Sequence, residues 1–335
     1  MNYIYSLLKI ILLQYLIIIS HEFLHYFMAK FLNLKTSLMY IIPFKIYKDN
    51  SKYKLSIVNP MEILVTSYQH FESLEVKSSK DKDDLLKKLN FYLFISPIFD
   101  LFLFIVLFLL GINIINLSYL ALLSLIHFSI ATINFFNSDG KYAIGSSEDE
   151  RIAFSLLRYF TISGHTKVSL ATKDYFTNYH KEIANDVVYD SFNVNDLWNF
   201  LNSLSFYEDS LLSYLNKDIS YLDPSTINFY ELLIVDYYKI KELDYRQIKK
   251  VSTSLIFYFI YRNINNLETI LEESFVNDIL VNCNSNYFQY LYNSYYNPKL
   301  SNINYLKNSN NIPMPYNISK SYENIILNLV NYIDS

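Results

Sequence analysis

Residues 15–31 read YLIIISHEFLHYFMAKF, which sets His21, Glu22 and His25 in the middle of an otherwise apolar run. This is an H-E-x-x-H pattern inside a segment with the composition of a membrane span. Residues four apart on a helix share a face, so His21 and His25 can offer two imidazoles to one metal ion, with Glu22 one residue round beside any water there. Zinc suits such ligands. It needs a third protein group, often a carboxylate, and leaves its fourth position to water, which it acidifies toward neutrality. Glu22 would take that proton and pass it to a leaving amine. A pattern with three fixed positions also arises by chance. Ionisable groups in an apolar segment, however, cost on the order of 2 to 3 kcal/mol each to place in lipid, so three together point to a function or a mutual partner.

Two more apolar stretches follow. Residues 91–115 contain FISPIFDLFLFIVLFLLGINII, and residues 117–136 read LSYLALLSLIHFSIATINFF, followed at once by NSDGKYAIG. With residues 4–34 they give three segments long enough to cross a hydrocarbon core of roughly 30 Å. Lys9 and Lys30 in the first can reach opposite interfaces. Its start has neither a basic cluster nor a small-residue cleavage site, so the segment reads as a retained span rather than a removed signal. Pro97 is expected in the first turns of the second helix, where proline is tolerated. Asp100 is the one acid in that helix, able to cap, pair or line a cavity.

The intervening loop, residues 35–90, has the β-branched and aromatic content of short strands in TSLMYIIPFKIYK and KYKLSIV, with KDNSK as the turn of a β-hairpin. The charge run KSSKDKDDLLKKL reads as a solvated loop and helix start. The loop carries ten lysines, the link between the second and third spans carries no charge, and Lys141, Arg151 and Arg158 follow the third. The positive-inside tendency therefore places the loop and the C-terminal region in the cytoplasm. His21 and His25, in the second half of the first span, and Asp139, at the end of the third, then fall on the same side.

Beyond about residue 146 no segment is long and apolar enough to span. Apolar residues recur at helical spacing in NFYELLIVDYYKIKEL, QIKKVSTSLIFYFIYRNI and NLETILEESFVNDILVNC, and IPMPYN marks a turn before a last helix. The expected fold class is thus mainly α. A polytopic membrane domain of about three transmembrane helices with a small β-hairpin insertion covers 1–145, and a C-terminal α-helical soluble domain, cytoplasmic, covers 146–335. The net charge of −4 argues against a general nucleic-acid binder. The single cysteine, Cys283, excludes an internal disulfide and reads as a small core residue. His127 lies twelve positions before Asp139, about 18 Å along a continuous helix, too far to share an ion. For His70, His165 and His180, in polar surroundings, surface placement is expected.

Three stretches in order resemble the site-2 protease family of intramembrane zinc metalloproteases. HEFLHYFMAKFLNL resembles the first motif and its continuation, with Leu24 and Asn33 where glycines are common. SPIFDLFLF resembles the start of the following membrane helix, with Ser96 and Pro97 fitting and Asp100 in place of an asparagine. NFFNSDG resembles the family's Asn-x-x-Pro followed by Asp-Gly, with Asn134 and Asp139 matching and Asn137 where the proline would stand. The resemblance covers about residues 10–145. It implies Zn2+ held by His21, His25 and Asp139, Glu22 as general base, and Asn134 as a substrate-binding group on the peptide backbone or developing oxyanion. Read from the residues alone, Asp139 and Gly140 can equally form a helix C-terminal turn, with the glycine as left-handed cap.

The activity expected from the resemblance is endopeptidase cleavage of a membrane-embedded or membrane-associated peptide, such as a bacteriocin or signalling-peptide precursor, by a multi-pass protein of the cell membrane. The helical tail would select substrate or dock a cytoplasmic protein partner. A different class of function fits the departures from the family glycines and proline: a catalytically silent membrane adaptor or immunity component that binds a peptide or partner through its tail.

Overall fold

The computed structural model describes residues 2–41, 44–49, 52–57, 70–72, 74–113, 126, 128–129, 132–133, 135–136, 139–162, 168–186, 192, 197–241, 243–267, 272–308, 311–313 and 320–334. Two compact units divide the chain, Met1–Thr166 and Lys167–Ser335. The division falls later than residue 145 because the helices that follow Asp139 pack back on the second apolar helix.

The first unit opens with α1 (Asn2–Phe31), whose apolar content continues to its end. Asn33 terminates it in the left-handed region at φ 57°, with the Leu34 amide donating to the Ala29 carbonyl and the Asn33 amide to that of Lys30. This is a Schellman closure, and asparagine is the commonest substitute for glycine there.

A four-stranded antiparallel sheet follows, in the order β3-β2-β1-β4: β1 (Thr36–Ile41), β2 (Phe44–Asp49), β3 (Lys52–Ile57) and β4 (His70–Phe71). The expected single hairpin is a meander. The stretch TSLMYIIPFKIYK folds on itself, with Ile41 paired to Phe44. The KDNSK turn is found, closed by the Asp49 and Lys52 pair. An ion pair between Lys48 and Glu72 ties β2 to the residue after β4.

Helix α2 (Ser79–Asn113) begins inside the charge run. Ser78 accepts from the Asp81 amide at 3.3 Å, and the Asp81 carboxylate accepts from the Ser78 hydroxyl at 2.9 Å and the Lys77 amide at 3.1 Å, which caps the first turn. Because the helix starts there and not at residue 91, Pro97 lies mid-helix rather than in the first turns. Its missing N–H leaves the Leu93 carbonyl without the usual donor four residues on. Among the described residues α2 is the one helix long and apolar enough to cross a membrane, over Ser79–Leu110. Its far half presents Leu101, Phe102, Ile105, Leu109 and Leu110 outward.

Of the third apolar stretch, the described residues between 126 and 136 are helical. Phe135 packs on Phe94 and Phe128 on Phe104, with ring centroids 5.5 and 5.2 Å apart, so these described residues run antiparallel to α2. His127, Asn134, Asn137 and His165 lie outside the described residues. Helices α3 (Asp139–Glu148) and α4 (Glu150–Ile162) continue down α2, with Ser146 donating to Asn90 at 2.7 Å and Lys82 meeting Glu150 at 3.2 Å. Leu89, Tyr92, Phe71, Phe154, Leu157 and Phe160 form the core beneath the sheet.

The second unit is helical, as its spacing predicts: α5 (Leu170–Asp186), α6 (Leu197–Leu215), α7 (Pro224–Val235), α8 (Tyr237–Ile240), α9 (Tyr245–Ile264), α10 (Glu273–Cys283), α11 (Asn286–Tyr296), a 3-10 turn (Pro298–Leu300), α12 (Ile303–Lys307) and α13 (Lys320–Asp334). Every residue from Val251 to Tyr261 is buried, which makes α9 the axis against which α6, α7, α10 and α11 pack. Asp223 and Asp244 cap α7 and α9 through backbone amides. Cys283 is fully buried beside Thr253.

His180 departs from its expected surface position. It is 1% exposed and stacked on Phe206, with centroids 4.8 Å apart and planes within 12°. Phe176, Tyr179, His180 and Ile183 share one buried face of α5.

Candidate metal and peptidase site

Ile17, His21, His25 and Ala29 recur every four residues and line one side of α1. Ile17, His25 and Ala29 are buried and His21 is half-buried, while Leu16, Phe23 and Phe27 point away. Glu22 flanks that stripe and is only 3% exposed. A carboxylate so placed would be costly without a role for it or a partner.

Helix α2 runs antiparallel to α1 and presents a matching stripe of Tyr92, Ser96 and Asp100, again at intervals of four and all buried. The His25 ring lies on Tyr92 with centroids 4.8 Å apart, and His21 meets Phe99 edge-on at 6.2 Å. Nε2 of His21 is 3.1 Å from the Ser96 hydroxyl, and Nδ1 of the same ring is 3.5 Å from Oδ1 of Asp100. The two histidine rings sit edge to face, 5.0 Å between centroids.

Asp139 opens α3, and its Oδ2 lies 3.7 Å from Nε2 of His25. Gly140 continues the helix with negative φ, so the alternative reading of Asp-Gly as a left-handed cap does not hold. The chain thus returns, after two apolar stretches, to set this carboxylate against the second histidine of the motif.

Two imidazoles and a carboxylate are the donor types zinc takes in open catalytic sites. Ligand atoms sharing one tetrahedral ion at about 2.0 to 2.1 Å stand roughly 3.3 Å apart, and the His25 to Asp139 separation of 3.7 Å is close to that. His21 is adjacent but engaged by Ser96 and Asp100, and among the described residues no three His, Cys, Asp or Glu side chains gather around one point. The donor set fits zinc in kind, and two of its three members are at ligand spacing.

Tyr92 is absent from the sequence-based site. The signal that could have found it is the interval of four through Tyr92, Ser96 and Asp100, which puts one aromatic and two polar side chains on a single face of an apolar helix. No protein-family model matches the chain, and neither a curated protein nor a solved structure matches it significantly.

Proposed function

We propose that the first unit is a zinc-dependent intramembrane endopeptidase that cuts a membrane-embedded or membrane-associated peptide. The observation that carries this reading is the meeting of His25 with Asp139 beside a buried Glu22. His21, His25 and Asp139 would hold the ion. When bound, zinc supplies a Lewis acid for the scissile carbonyl and acidifies the attacking water. Glu22 accepts the proton of that water and delivers it to the leaving amine. Asn134 remains the proposed contact to the peptide backbone.

Apolar side chains exposed along α1 and α2 support a lipid setting in which these two helices and the 117–136 stretch cross the bilayer. A peptide bond inside a helix is sheltered by its own hydrogen bonds, so the substrate must present an extended segment. Among the described residues β3 is an outer strand of the sheet and offers an edge for such a segment to join.

The test uses full-length protein in phosphatidylcholine and phosphatidylglycerol vesicles with a pool of single-span model peptides, products being read by mass spectrometry. Glu22→Gln should retain zinc and abolish cleavage, whereas undiminished cleavage would overturn the mechanism. A catalytically silent adaptor is the second reading, favoured by Nε2 of His21 lying against the Ser96 hydroxyl at 3.1 Å. Metal analysis separates the two: a peptidase carries about one zinc per chain that His25→Ala loses, and an adaptor carries none.

A further inference from the structure

We propose that Asp100 is a positioning residue for His21: its carboxylate holds the Nδ1–H of that ring and so presents Nε2 to the metal site. The inference rests on the zinc peptidase reading. Three observations support it. Oδ1 of Asp100 lies 3.5 Å from Nδ1 of His21, the ring nitrogen that Ser96 does not meet. The carboxylate is 2% exposed and projects from the middle of α2, where the helix fixes its place, one turn from Ser96 and two from Tyr92. Finally, Nε2 of His25 is the nitrogen facing Asp139, so with Asp100 at Nδ1 both histidines offer the same nitrogen.

The two ring nitrogens are chemically distinct, and the partner of one decides which proton state the other has. A neutral imidazole with its proton directed at a carboxylate through Nδ1 keeps a lone pair on Nε2, where the Ser96 hydroxyl now lies within donating distance. Outer partners of this kind commonly change metal affinity 10- to 100-fold when removed. An asparagine at position 100 would still accept from Nδ1–H through its amide oxygen, but as a metal ligand it would be far poorer than a carboxylate.

The experiment measures zinc affinity of the full chain in detergent by competition with a chromophoric chelator, for wild type, Asp100→Asn and Asp100→Leu. Positioning predicts a loss of about 10- to 100-fold for Asp100→Leu and a much smaller one for Asp100→Asn. Equal affinity in wild type and Asp100→Leu overturns the positioning role while leaving the peptidase reading intact. An Asp100→Asn loss as large as that of Asp100→Leu overturns it in favour of direct ligation. Wild type without zinc overturns both readings. Should Asp100→Leu fail to fold, nitrogen NMR of labelled histidine in the zinc-loaded wild type decides. The His21 signal, assigned by its loss in His21→Gln, must show the proton on Nδ1, and a proton on Nε2 overturns the proposal.

Discussion

His180 illustrates what a single buried imidazole does to stability. Desolvation by burial is the chief cause that pulls its pKa down, to about 4, with Asp223 opposing weakly. The folded state therefore holds the ring neutral, while the unfolded chain binds a proton below its ordinary value of about 6.5. Stability should be level above that value, fall as pH drops from about 6.5 to 4, and level off again below. The total loss is on the order of 3 kcal/mol. Denaturation of the full chain followed through Trp198, its only tryptophan, checks this, since the residue lies in α6, which also carries Phe206. His180→Phe should remove most of the slope between pH 7.5 and 5, and a slope unchanged by that substitution would sink the assignment. The placement was legible after all. Phe176, Tyr179 and Ile183 recur with His180 on one face, and helical periodicity outweighs the polar neighbours that suggested the surface. His21, Glu22 and His25 are conspicuous in the sequence itself, because three ionisable groups in an apolar run stand out by their cost alone. The interval of four marks the stripe of Tyr92, Ser96 and Asp100, but which side chains of α1 meet it depends on how the two helices are paired, which no local pattern specifies.

Elements were legible where a local signal starts or stops them. The Ser78 and Asp81 exchange could be read from the sequence as Ser-x-x-Asp ahead of an apolar run, and it moves the start of α2 back to Ser79. Hydropathy alone marks the span only from residue 91, which makes Pro97 look terminal, although the charge run already reads as a helix start. The meander was missed because Pro43 sat inside what read as one strand, though proline within a run is itself a warning against a continuous strand. The end of α1 offers a direct test of local backbone chemistry. Asn33 at φ 57° tolerates a conformation that a side chain branching at Cβ, or a plain methyl, disfavours. Asn33→Ala should destabilise the first unit by about 1 kcal/mol and Asn33→Gly should leave it level or slightly improved. The measurement is the detergent denaturation midpoint, and an Ala variant as stable as wild type would show that the closure contributes nothing.

At the scale of the whole molecule, each half carries its own core and the two cores differ in kind. The first is built around α1, α2 and the sheet, and α2 in particular leaves apolar side chains facing outward, a surface that water does not favour. In the second, tyrosine does much of the packing while its hydroxyl finds a partner. Tyr230 meets Ser254 at 2.6 Å and stacks on Tyr258, Tyr287 donates to the Leu306 carbonyl, and Tyr295 donates to that of Leu329, each at 2.8 Å. Such satisfied amphipathic side chains permit a dense interior in a chain rich in tyrosine, a feature that composition left uninterpreted. Because α9 is enclosed by helices of the same unit, residues 167–335 should fold without the first half. Expressed alone in aqueous buffer, this segment is expected to be monodisperse, strongly helical by circular dichroism and cooperative in thermal unfolding. Aggregation or a gradual, non-cooperative melt would mean that the second core is completed by the first unit or by lipid, and a soluble cytoplasmic tail would then be the wrong description of this half.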